Sequence, residues 1–111
     1  MTESHLQQMC VRWYDMQFRG AELRLFSIPN EGKRNPVNGA KMKAMGRRKG
    51  APDMIFLMTG TCAFIEFKTD KGRQSPEQKQ FQEVIAEHQM QYHIIRNFDE
   101  FKNLIVNLYF K

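Results

Sequence analysis

Cysteine is scarce in this chain, with 2 among 111 residues, Cys10 and Cys62, each set inside an apolar stretch. Two such residues are too few for a disulfide framework or a zinc site, and both are expected to be reduced core residues. No apolar run approaches the roughly 20 residues needed to span a bilayer, and the opening Met1 to His5 lacks the basic-then-apolar pattern of a signal peptide. A cytoplasmic protein without a membrane partner is the expectation. The 3 histidines, His5, His88 and His93, show no His-x-x-x-His spacing, so no chemistry is assigned to them. Acid is missing altogether from residues 33–49. That stretch holds seven cations: Lys33, Arg34, Lys41, Lys43, Arg47, Arg48 and Lys49.

The remaining composition is ordinary for a globular protein, at 41% hydrophobic and 26% charged residues, and the length predicts one domain, residues 1–111, with one modest core. A formal net charge of +5 favours an anionic partner. The clustering of cations ahead of Asp53 suits a phosphate backbone, each neutralised phosphate contributing through counterion release. A solvated loop is the plainer account of the same residues.

The most informative stretch runs from Gly50 to Lys68. Met54 to Met58 and Cys62 to Phe67 are apolar runs flanking Thr59-Gly60-Thr61, a hairpin pattern. With Thr59-Gly60 as a two-residue loop, Met58 faces Thr61, and counting outward sets Asp53 opposite Glu66. Directly opposed side chains stand about 4.5 to 5.5 Å apart at Cβ, where two like charges weaken a sheet. A divalent cation between them removes the conflict. Side chains at i and i+2 share a strand face, so Lys68 projects with Glu66 while Ile65 and Phe67 enter the other layer. Two carboxylates and an amine on one small sheet suit Mg²⁺, which takes few protein oxygens and leaves positions for water and phosphate. Alone, a Glu-x-Lys triplet is commonly a solvated edge pair; the Pro-Asp before the strand and the register argue for chemistry.

The same residues resemble a known family. Pro52-Asp53 followed by Glu66-x-Lys68 is similar to the core of the PD-(D/E)XK nucleases. Asn30-Glu31-Gly32, the Gly46 to Asp53 stretch and Gly72-Arg73-Gln74-Ser75-Pro76-Glu77-Gln78 resemble the VRR-NUC branch, the virus-type replication-repair nucleases, over nearly the whole chain. The resemblance implies a small standalone, phage-like member with a restriction-endonuclease-like α/β sandwich, a mixed central β-sheet flanked by α-helices. It also implies Mg²⁺ or Mn²⁺ held by Asp53, Glu66 and the Phe67 carbonyl, Lys68 orienting the attacking water, and Gln78 close to the active site. Branched or Holliday-junction DNA is the implied substrate, and a homodimer the implied assembly.

Elsewhere, Leu6, Met9, Cys10, Trp13 and Gln17 predict a first helix from Thr2 or Ser4 to Phe18. Glu3 lies on that stripe; it either completes the metal site, as the resemblance implies, or complements the helix dipole. Residues 22–29 read as a first strand whose alternation slips after Leu25, and 37–45 as a short helix. Ser75, Pro76 and Gln78 form a capping box ahead of Phe81, Val84, Ile85 and His88, which explains Gln78 without chemistry. Arg73, before that helix, either grips a phosphate or is an exposed cation. A last strand covers 91–96. Asn97 opens a final helix with Phe98, Phe101, Leu104, Ile105 and Leu108, leaving Val106 and Tyr109 as candidate dimer contacts. The expectation is thus a metal-dependent DNA endonuclease; the alternatives are an inactive nucleic-acid-binding module on the same fold and a small interaction protein whose charge keeps it soluble.

Overall fold

The computed structural model describes residues 1–29 and 36–110. Helix α1 spans Glu3–Gln17. Its start is set by Thr2, whose hydroxyl accepts the His5 N–H at 3.0 Å, and by Glu3 in the first turn, where the exposed N–H groups favour a negative charge. The face it buries is Leu6, Cys10 and Tyr14, four residues apart, with Gln17 turned to solvent. After a 3₁₀ turn, Glu22–Arg24, come strand β1 (Leu25–Ser27), helix α2 (Pro36–Ala44), β2 (Met54–Met58), β3 (Thr61–Phe67), α3 (Pro76–Glu87), β4 (Gln91–Ile95) and α4 (Phe98–Tyr109).

The four strands form one sheet in the order β1-β2-β3-β4. The first two pairings are antiparallel and the last is parallel, so the sheet is mixed, as expected. A parallel pair needs a crossover rather than a hairpin, and α3 supplies it. The hairpin loop is Thr59-Gly60, with Gly60 at φ +75° and Met58 opposite Thr61. Alternation then sorts the side chains. Met54, Phe56, Ala63, Ile65, Phe67 and Ile95 point to one face and, together with Leu6, Cys10, Tyr14, Phe101 and Ile105 from α1 and α4, make the core. Phe56 and Phe101 are fully buried, and truncating either to Ala should cost about 3–5 kcal/mol. Helix α3 lies against β4.

Three expectations need correction. Residues 22–24 are a 3₁₀ turn, not strand, and Leu23 is 89% exposed. Here Arg24 meets the sheet through its side chain: Nε donates to the Leu57 carbonyl at 3.0 Å, and the guanidinium covers the Phe56 and Tyr109 rings at 4.9 and 4.7 Å. On α3 the buried residue is Ile85 alone, because one sheet edge covers a narrow strip of the helix; Val84 and His88 are exposed. On α4 Tyr109 packs inward, its ring 4.4 Å from that of Phe18, while Val106 is exposed. Both cysteines are free, Cys10 buried and Cys62 half-buried. Among the described residues no helix is long and apolar enough to cross a membrane.

Candidate active site

The hairpin register pairs Met54 with Ile65, and one step further out sets Asp53 against Glu66. Asp53 is fixed at both levels. Its carbonyl accepts the Ile28 N–H at 2.8 Å, tying it to the chain leaving β1, and its Oδ2 accepts the Phe67 N–H at 2.7 Å. Pro52 before it is fully buried. Burial pushes the Asp53 pKa up; the Phe67 N–H works against that, the negative charges of Glu66 and Glu3 add to it, and the Lys68 ammonium opposes it. All the charged members of the site therefore act on this one carboxyl.

Glu66 lies on the sheet face opposite the core and is only 1% exposed. Its Oε1 accepts a hydrogen bond from the Tyr92 hydroxyl. Its Oε2 is buried with no hydrogen-bond partner among the described residues. An unpartnered buried carboxylate oxygen is costly, and buried charges are ordinarily paired or metal-bound, so this atom is the strongest structural sign of a ligand. Asp53 shows the same division of labour, one oxygen anchored to the backbone and the other bearing no bond from a described residue. Two carboxylates with one spare oxygen each make a hard, oxygen-only donor set, which fits a divalent cation of the Mg²⁺ type. Among the described residues no three His, Cys, Asp or Glu side chains stand together as a ligand group, so any such ion takes most of its shell from water, substrate or backbone.

Lys68 completes the cluster just past the end of β3. Its backbone N–H donates to the Ile95 carbonyl at 2.9 Å, and the residue is only 7% exposed, unusual for a lysine. Glu3, half-exposed at the start of α1, borders the loop that follows: its Oε2 lies 3.5 Å from where a Cβ on Gly72 would stand. Gln78 is occupied by its helix cap, its Oε1 accepting the Ser75 N–H at 2.8 Å and its own N–H donating to the Ser75 hydroxyl at 3.1 Å. Arg73 is exposed on the loop before α3.

Of the basic residues, Lys41 and Lys43 are exposed on α2, Arg48 and Lys49 are exposed beyond it, and Arg47 is half-buried. Lys33 and Arg34 lie outside the described residues. The segment is fastened to α3: Gly50, at φ +86°, approaches so closely that a Cβ there would stand 2.6 Å from the Glu77 carbonyl carbon, and Lys49 Nζ is 3.9 Å from Glu77 Oε2.

Two residues of the site were not singled out by sequence. Tyr92 reaches Glu66 because β4 runs parallel to β3 with Tyr92 beside Phe64, two residues before Glu66 on the same face; that register is invisible in a single sequence. Arg96 Nη1 donates to the carbonyls of Thr69, Asp70 and Gly72 at 2.7, 3.3 and 2.8 Å, clamping the loop after Lys68. A lone arginine after a strand carries no signal for that.

Residues 1–98 match the family model of the VRR-NUC domain. A solved structure described as "VRR_NUC domain protein" superposes with a TM-score of 0.81 at 23% identity, over 97% of this chain and 88% of that one. No match was found among proteins of curated function.

Proposed function

The chain belongs to the VRR-NUC family of nucleases, and we propose that it is a single-domain, Mg²⁺- or Mn²⁺-dependent endodeoxyribonuclease acting on branched or Holliday-junction DNA in replication and repair. The observation that carries the metal dependence is the buried, unpartnered Oε2 of Glu66 beside a carboxylate whose pKa burial raises. Asp53 and Glu66 would hold the cation, with the Phe67 carbonyl as a further ligand and Glu3, in the first turn of α1, completing the site. When bound, the ion polarises the scissile phosphate and makes hydroxide available near neutral pH. Lys68 presents its ammonium, which favours a deprotonated water and offsets charge building on the phosphate. Gln78 supports the site through the start of α3. Lys33, Arg34, Lys41, Lys43, Arg47, Arg48, Lys49 and Arg73 track the DNA backbone.

One such site cuts one strand, so paired incision across a junction calls for two sites related by a twofold axis. Val106 is 42% exposed on α4, which packs on the sheet face away from Asp53 and Glu66, and a homodimer formed through that helix covers it while leaving the site face open.

Asp53→Ala and Lys68→Ala should abolish cutting of single-stranded, duplex, flap and four-way-junction DNA in Mg²⁺ or Mn²⁺ while leaving DNA affinity similar, tighter for the Asp53 variant since a carboxylate repels phosphate. Parental cutting by both variants would reject the assignment. A wild-type protein that binds DNA but cuts none of the panel would be the inactive binding module instead. Light scattering at micromolar concentration tests the assembly, where a monomer mass with unpaired nicking removes the dimer and leaves the nuclease.

A further inference from the structure

Tyr92 stands in the middle of a directed chain of hydrogen bonds. Gln74 Nε2 donates to the Tyr92 hydroxyl oxygen at 3.5 Å, and that hydroxyl donates to Glu66 Oε1. A tyrosine hydroxyl has one proton to give. With Gln74 supplying a donor from outside, the proton is directed at Glu66. The other oxygen, Oε2, is left buried and unpartnered. We propose that Tyr92 is a positioning residue of the metal site: it fixes the Glu66 carboxylate so that one oxygen is held by protein and the other alone is presented to the cation, with Gln74 setting the direction of the Tyr92 hydroxyl. This rests on the reading of Asp53 and Glu66 as a divalent-cation site.

The geometry gives the role its physical content. Glu66 is a flexible carboxylate on a strand, and its terminal torsion is broad; without the Tyr92 hydroxyl either oxygen, or both, can turn to the ion. Ligating carboxylates are ordinarily held by such outer partners, whose loss costs affinity. Strand β4 is well suited to carry the group, since its backbone is locked to β3 from Gln91 to Ile95. The competing account is that Tyr92 merely satisfies a buried carboxylate, a purely structural service.

The two accounts separate on metal affinity measured without DNA. In the full chain, Tyr92→Phe keeps the ring and removes the hydroxyl. By calorimetric titration with Mn²⁺, its Kd should rise about 10- to 100-fold, the range typical of outer-shell changes, and the Mg²⁺ concentration for half-maximal cleavage should rise in step while the rate at saturating Mg²⁺ recovers toward the parental value. Gln74→Ala should shift both in the same direction by less. A Tyr92→Phe variant with parental Mn²⁺ affinity and parental Mg²⁺ requirement overturns the positioning role, whatever its melting temperature. Should that variant not fold, Gln74→Ala carries the test, and an unchanged Mn²⁺ Kd there overturns the proposal. Glu66→Gln is the control. If the parental protein binds Mn²⁺ and Glu66→Gln does not, the site stands independently of the Tyr92 result; if the parental protein binds none, the site reading fails and the proposal falls with it.

Discussion

His93 shows how far one side chain's chemistry depends on its place. In sequence it is a histidine in an apolar run with no ligand spacing and no assigned chemistry. In the fold it sits half-buried on β4 beside Ile65, with Nε2 2.8 Å from Gln91 Oε1. Burial pushes its pKa below the ordinary value. The sign of the consequence follows from proton counting. An unfolded chain takes up the proton near pH 6.5, whereas the folded chain resists it to lower pH, so in that window the unfolded state binds more protons and stability falls as pH falls. Asp53, whose pKa is raised, works in the opposite sense, so the His93 contribution is seen as a difference between variants. Replacing His93 with Gln should flatten the fall in urea midpoint between about pH 7 and 5 relative to the parental protein, and equal slopes would show that the imidazole titrates as it would in water. At this scale the places of Asp53 and Glu66 across the hairpin were legible, because a two-residue loop and strand alternation set them with no further information. Tyr92 and Arg96 were not, since each meets its partners across a parallel pairing or a loop 24 or more residues away.

Among the elements, those with local punctuation were readable. Thr2, Ser75 and Asn97 each cap their helices through a side-chain oxygen, and the caps depend on residues three apart. Strand β1 lacked any such marker: three residues long, it exists because β2 offers it an edge, and the apolar Leu23 beside it proved to be solvent-facing. The docking of the basic segment on α3 was equally hidden, and Gly50 tests it. Gly50→Ala places a Cβ 2.6 Å from the Glu77 carbonyl carbon at φ +86°, whereas Gly20→Ala, at φ +90°, meets nothing within 4 Å. Both carry the left-handed strain, about 1–2 kcal/mol; only the first adds the clash. Chemical denaturation should find Gly50→Ala the more destabilised by about a further 1 kcal/mol, and equal losses would mean the segment does not rest on α3.

For the whole molecule the distribution of charge matters more than the +5 total. Exposed Arg48 and Lys49, half-buried Arg47 and the α2 lysines lead directly into Asp53, and the packing of Gly50 on Glu77 ties the end of that segment to the first turn of α3. Changing Arg47, Arg48 and Lys49 together to Ala should weaken DNA binding across all sequences and flatten the plot of log affinity against log salt by roughly 0.9 for each phosphate no longer neutralised. An unchanged slope would mean that these cations face solvent and that the DNA follows another path, past Arg73.

What the sequence determined by itself was set by short-range pattern: the helices with their caps, the hairpin and its register, and the opposition of Asp53 to Glu66 that follows from that register. Those follow from a repeat of two in strands and of 3.6 in helices, and from residues that bond their neighbours. Only the tertiary structure decided what crosses between elements. The parallel docking of β4 gave Glu66 its tyrosine, the side-chain clamp of Arg96 shaped the loop beyond Lys68, and the covering of the sheet left one carboxylate oxygen buried without a partner among the described residues. Such pairings depend on the relative placement of distant segments, which is set by packing the whole core and not by any local pattern.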